Sequence, residues 1–196
     1  NLTFDSVIAT TPSYVFSRLA PNLPESYIEQ LHSTQYLAAV VLILELDHPL
    51  SSKYWMNIAD LDFPFVGIIE HTNLVDPELY SGNHLVYLTN YPDINSDIYN
   101  MSKEELLNTY LPHLNKINPD FDPSWVRNSH YHKINGAQPV VGVNYSSNIP
   151  SHRTPFQNLY LANTTQIYPE DRGTNYSVKM GRLVARLVQE DFSRII

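Results

Sequence analysis

The chain of 196 residues is predicted to be an α+β protein, an antiparallel mixed sheet with helices flanked at both ends by a βα piece. Three observations lead there. Short β-patterned runs punctuated by Pro, Gly and Asn fill residues 34–90, which reads as an antiparallel meander. A strand-like run passes directly into a helical pattern near the start of the chain. Near its end a second short strand, a polar loop and an amphipathic helix repeat that order, and no internal repeat or low-complexity linker separates the pieces.

In chain order, Phe4-Asp-Ser-Val-Ile-Ala9 is the first strand. Thr10-Thr-Pro12 leads from it into a helix with Ser13 as cap and Tyr14, Phe16 and Leu19 as apolar residues. A βα unit needs parallel neighbours to bury both faces. Residues 36–46 form a long strand containing the longest apolar run, Tyr36–Leu44, which is half the length of ~20 residues that a spanning helix needs. No membrane span is therefore expected. Further strands are Tyr54 to Ala59, Phe65 to His71 and His84 to Asn90, with Pro64, Asp76-Pro77 and Ser81-Gly-Asn83 as breakers. Ser102 and Glu105 make a capping box for a helix whose apolar face is Leu106, Leu107, Tyr110, Leu111 and Leu114, and Asn118-Pro119 ends it. Trp125 to Ile134 is a strand, Val140 to Tyr145 a further edge, and 146–158 a loop. Leu159–Ala162 is a short strand, and Tyr176 to Phe192 is a helix with Val178, Leu183, Val184, Leu187 and Val188 inward.

Composition narrows the function. Twelve Lys plus Arg against 20 Asp plus Glu, with no basic cluster, offers no counterion-releasing patch, so no nucleic-acid partner is expected. No Cys means no disulfide, thiolate nucleophile or zinc-thiolate site. With six Gly there is no GxGxxG and no GxxxxGK[ST]. No signal peptide is legible, and a cytoplasmic location is expected. The five Asn-x-Ser/Thr sequons, at Asn1, Asn100, Asn144, Asn163 and Asn175, are in part the product of abundant Asn, Ser and Thr.

The chemistry-bearing stretches are few. From Leu159 the chain runs through a loop to Gly173, and a helix then opens with Thr174 or Asn175 as N-cap. Such a helix start is either an anion site, with free N–H groups at a positive dipole end, or a capped surface helix. His130-Tyr-His132 places two imidazoles on one strand face, where His152 or His113 could join them; two exposed strand histidines are the simpler reading, and no metal is expected. Glu70-His71, near Trp55, is read as a satisfied polar pair at a sheet edge rather than as a cavity-facing pair. Glu170-Asp171-Arg172 is read as an internal salt-bridge cluster rather than as a set of cofactor contacts. The 14 Tyr serve either an aromatic cavity or ordinary packing. No Gly-x-Ser-x-Gly marks a hydrolase.

The stretch from Leu159 to Ala185 resembles the C-terminal flavin-binding segment of the FAD-dependent amine oxidoreductase superfamily, which includes protoporphyrinogen oxidase-like and amine oxidase-like proteins. Leu159-Tyr-Leu-Ala162-Asn163 is similar to that family's strand, Gly173-Thr174-Asn175 to its helix start, and Gly181-Arg182 with Ala185 to its helix body. It departs at Asn163 and Tyr176, where Gly is usual, and at Met180, where Ser is usual. Phe4–Pro12 resembles the strand that re-enters the dinucleotide domain, and Gly136-Ala-Gln138-Pro139-Val resembles the residues that pass the flavin.

The resemblance implies FAD as cofactor and names Pro12, Gln138, Pro139, Ala162, Asn163, Gly173, Thr174 and Asn175 as its contacts, with catalytic residues left unknown. It implies that residues 1–30 and 136–196 are parts of a split FAD-binding domain around a substrate-binding domain at 31–135. The N-terminal dinucleotide-binding half is absent from this sequence on that reading. The expected function is part of an FAD-dependent oxidoreductase, with hydride passing from a small-molecule substrate to flavin N5. The chain alone would then bind FAD weakly or not at all, and would self-associate through the face left for the missing half. A non-catalytic ligand- or partner-binding α+β module and an enzyme similar to UDP-galactopyranose mutase are the alternatives.

Overall fold

The computed structural model describes residues 2–193. The chain divides into two compact units, one made of 1–35 with 139–196 and the other of 36–138. The sequon at Asn1 lies outside the described residues.

The 36–138 unit is a five-stranded sheet backed by a helix. Its strands are β2 (Tyr36–Leu46), β3 (Trp55–Asn57), β4 (Gly67–Glu70), β5 (His84–Asn90) and β6 (Val126–Pro139), ordered β3-β4-β5-β2-β6. β2 and β5 run antiparallel from Val40 opposite Asn90 to Leu46 opposite His84. β4 pairs antiparallel with β5 on one side and with β3 on the other. The period of two along β2 sends Val40, Leu42, Leu44 and Leu46 into the core, where each is fully buried. Burying one such Leu stabilises the fold by roughly 2 kcal/mol. Gly67 sits opposite Thr89, and a Cβ there would lie 2.8 Å from the Thr89 Oγ1, so this strand position has no room for a side chain.

Helix α4 (Lys103–Leu114) covers the buried sheet face with Leu106, Tyr110 and Leu114. Its capping box is formed as the sequence predicts: Ser102 Oγ accepts from the Glu105 amide at 3.3 Å, and Glu105 Oε2 accepts from the Ser102 amide at 2.8 Å. The short helix α3 (Asp97–Asn100) was not predicted. β3 and β4 are shorter than the 54–59 and 65–71 runs. β6 is longer than 125–134, because the ladder continues through Gly136-Ala-Gln138 to Pro139.

The other unit holds β1 (Val7–Ala9) and β7 (Leu159–Leu161), a parallel pair with Val7 opposite Leu159. Helices α1 (Ser13–Leu19), α2 (Glu25–His32) and α5 (Thr174–Ser193) accompany it. Phe16, Leu23, Tyr27, Leu31 and Leu161 form one core cluster; Tyr160, Ala162 and Val184 form a second. Several expectations are corrected here. β1 begins at Val7, leaving Phe4 exposed. Pro12 rather than Ser13 occupies the α1 cap, and Leu19 is exposed. Helix α2 was not predicted, although Pro24 as its N-cap and Tyr27 with Leu31 one turn apart mark it. Val140 to Tyr145 is not a strand: the Val140 amide reaches Gln35 O at 2.8 Å, and the chain then turns through Asn144 at φ 57° into a single 3-10 turn. On α5 only Val184 of the five inward candidates is fully buried; Val178 and Leu183 are exposed.

Candidate functional site

The strand ends of the parallel pair meet at a hydrogen-bonded corner. Ala162 N donates to Ala9 O at 2.9 Å, extending the pairing by one residue beyond β7. Next to it, the Asn163 side chain is almost fully buried and uses both ends. Its Nδ2 donates to Thr11 O at 3.0 Å and to Ser13 Oγ at 3.2 Å. Its Oδ1 accepts from Thr165 N at 3.1 Å and from Thr165 Oγ1 at 2.6 Å. Gln166 caps the Asn163 amide at 2.9 Å, and Tyr145 reaches Thr165 O at 2.7 Å. Thus the structure brings Pro12, held between Thr11 and Ser13, together with Ala162 and Asn163. Ser13 is named from the sequence only as a helix cap, and Thr165, Gln166 and Tyr145 are given no role in this corner; the Asn-x-Thr spacing of 163–165 is the available sign of a local turn.

Gly173, Thr174 and Asn175 lie at the start of α5. Gly173 O accepts from the amides of Tyr176 and Ser177, both at 3.1 Å, so Gly173 is the N-cap and the expectation of Thr174 or Asn175 in that role is corrected. Thr174 and Asn175 then occupy the first helical positions, and among the described residues their N–H groups have no acceptor. No hydrogen bond joins them to the Asn163 corner. Gln138 is the last residue of the 36–138 unit and Pro139, buried, the first of the following segment.

The residues of the 1–35 with 139–196 unit suit a polar, electron-rich group. Two N–H groups stand at the positive end of a helix of 20 residues. Thr11 Oγ1, beside Pro12, is buried with no hydrogen-bond partner among the described residues.

Other predicted residues take structural positions. Glu70 is fully buried, accepting from the amides of Leu50 at 2.9 Å and Ser51 at 2.6 Å, and burial pushes its carboxyl above the usual range against those two bonds. His71 Nε2 meets Tyr80 OH at 2.9 Å. His130 and His132 are exposed, and His130 Nε2 lies 2.6 Å from Glu45. The 170–172 cluster is corrected: Glu170 pairs with Lys179 at 3.7 Å, Asp171 accepts from the Arg172 amide, and among the described residues the Arg172 guanidinium has no ion-pair partner. Among the described residues no three His, Asp or Glu side chains group as metal ligands, and no helix is long and apolar enough to cross a membrane.

Comparison with known proteins gives the fold a family. No curated protein matches the chain. A solved structure assigned as a protoporphyrinogen oxidase from Exiguobacterium sp. 255-15 aligns over 95% of this chain and 41% of its own, with a TM-score of 0.70 and 13% identity. Putrescine oxidase bound to putrescine aligns over 94% of this chain and 42% of its own, with a TM-score of 0.67 and 15% identity. Reduced UDP-galactopyranose mutase aligns over 76% and 32%, with a TM-score of 0.58 and 12% identity. The chain therefore spans about two fifths or less of the length of these structures, whose likeness is one of fold. A sequence profile matches residues 1–188, and by that match the chain belongs to the flavin containing amine oxidoreductase family.

Proposed function

We propose that this chain supplies the substrate-facing sheet and the flavin-pyrimidine contacts of an FAD-dependent oxidoreductase. The observation that carries the reading is the pair of acceptor-free amides, Thr174 and Asn175, at the start of α5 in a chain of this family. Bound flavin would supply a hydride acceptor at N5. The two amides would donate to a pyrimidine carbonyl, and the helix dipole would favour negative charge there without reorganisation. Asn163 would hold the corner that sets Pro12 and Ala162 beside the cofactor, and Thr11 Oγ1 would find its acceptor. Gln138 and Pro139 would be further cofactor contacts, as the family resemblance implies. Since the chain is about two fifths of the length of its solved relatives, the phosphates would be held by a further polypeptide segment with the glycine turns lacking here.

Thr174→Pro is a clean test, because proline at the first helical position removes one donor that the helix itself does not need. In the product of the complete reading frame, FAD titration should show binding retained and the flavin reduction potential lowered relative to wild type. An unchanged potential would overturn the amide role. If the 196-residue chain alone purifies yellow with tightly held flavin, the need for a further segment is wrong.

A further inference from the structure

Within the 1–35 with 139–196 unit, a cavity of about 220 Å³ lies between α5 and the segments that precede it. Ile167, Met180 and Leu183 make its apolar wall, and Tyr168 and Tyr176 add aromatic surface. An apolar cavity of about 150 Å³ takes up benzene, so this one has room for a ring on a short chain. Its two ends differ in charge. Toward the start of α5, Glu170 and Lys179 pair with each other at 3.7 Å. Arg186 stands seven residues further along the helix, about 10 Å away, and lines the opposite end. The acidic side chains nearest to it along α5 are already engaged: Arg153 holds Asp191 at 2.7 Å and Glu190 at 3.3 Å. Among the described residues the Arg186 guanidinium therefore has no carboxylate partner.

His152, next to Arg153, lines the same cavity. Its Nδ1 donates to Leu161 O at 2.9 Å, which leaves Nε2 as the free ring nitrogen, able to take a proton beside an anion. The wider field does not oppose an anion here. Residues 36–138 contain 13 Asp plus Glu and five Lys plus Arg, so that unit carries the whole formal charge of −8, while the rest of the chain has seven of each. An unpaired guanidinium at the end of an apolar cavity favours a planar anionic acceptor on an apolar body. We infer that this cavity is a second ligand site, which binds a monocarboxylate with a ring or short aliphatic body, its charge on Arg186. Arg186 is twelve residues from Thr174, about 18 Å along the helix. The site is thus independent of the flavin reading, and its test uses no flavin.

The probes are 3-phenylpropanoate, 3-phenylpropanol and 3-phenylpropylammonium, which share a ring and chain and differ in charge. Calorimetric and NMR titration of the 196-residue chain should give saturable binding of 3-phenylpropanoate with Kd near or below about 1 mM. Amide shifts should fall at residues 152, 166–168 and 176–186, and the other two probes should bind at least ~10-fold more weakly. Arg186→Gln should weaken the anion by about 10-fold and erase the discrimination, whereas Lys179→Gln, which removes a cation from the opposite end, should retain it. Leu183→Glu sets a carboxylate one turn before Arg186 and should block binding by occupying the site. Absence of saturable binding, equal affinity for the alcohol or the ammonium, shifts elsewhere on the chain, unchanged discrimination in Arg186→Gln, or full affinity in Leu183→Glu would each overturn the inference.

Discussion

The Asn163 side chain donates to Thr11 and Ser13 and accepts twice from Thr165, so one amide joins the end of β7 to the start of α1. Hydrophobic patterning gives no sign of this role, because the residue follows an apolar strand and its partners at Thr11 and Ser13 lie far back in sequence. The Asn-x-Thr spacing shows only the local half of the network. Alanine at 163 would leave the buried Thr165 amide and the part-buried Thr11 carbonyl without these partners, each wholly or partly desolvated with nothing in return. Asn163→Ala is expected to lower stability by about 2 kcal/mol or more. Urea unfolding would show this as a lower midpoint with an unchanged slope, and a midpoint equal to wild type would contradict it.

Among the elements, legibility followed burial. β2, β5 and α4 were readable because an alternating or a 3.6-residue pattern is fixed by one core, and the capping box at Ser102 and Glu105 adds a local signal of the same kind. Helices α2 and α3 are short, and proline, serine and asparagine before them read equally well as loop. The failure at Val140–Tyr145 has another cause: the residues have strand propensity, but the backbone leaves the ladder after Pro139. For α5 the apolar residues were legible but their destinations were not, since Val178 and Leu183 face outward with only Val184 fully buried. A helix with so little buried surface opens locally at low cost. Hydrogen–deuterium exchange should therefore find the α5 amides exchanging well before those of α4, in spite of the greater length of α5. Equal protection in the two helices would mean that α5 is held by more than its contacts on Tyr160 and Ala162.

For the whole molecule, the family and the α+β class were legible from the Leu159–Ala185 stretch and the meander, and the fold agrees with both. The uneven division of charge was open to counting but gained meaning only from the boundary between the two units. Self-repulsion in the 36–138 unit should be screened by salt, while the other segments, with balanced charge, should respond little. Amides of β2 and β5 are expected to gain protection when sodium chloride is raised from about 10 to about 300 mM, and those of α1 and α2 to change less. A uniform response across the chain would refute this.

The pairing of Val7 with Leu159 also orders events at the ribosome. Everything from residue 10 to residue 158 must leave the exit tunnel before β1 meets its parallel partner, a wait of roughly 8–30 s at ~5–20 residues per second. The β2–β5 and β4–β5 ladders close over much shorter loops, so the inserted unit has time to fold while β1 is still without a neighbour.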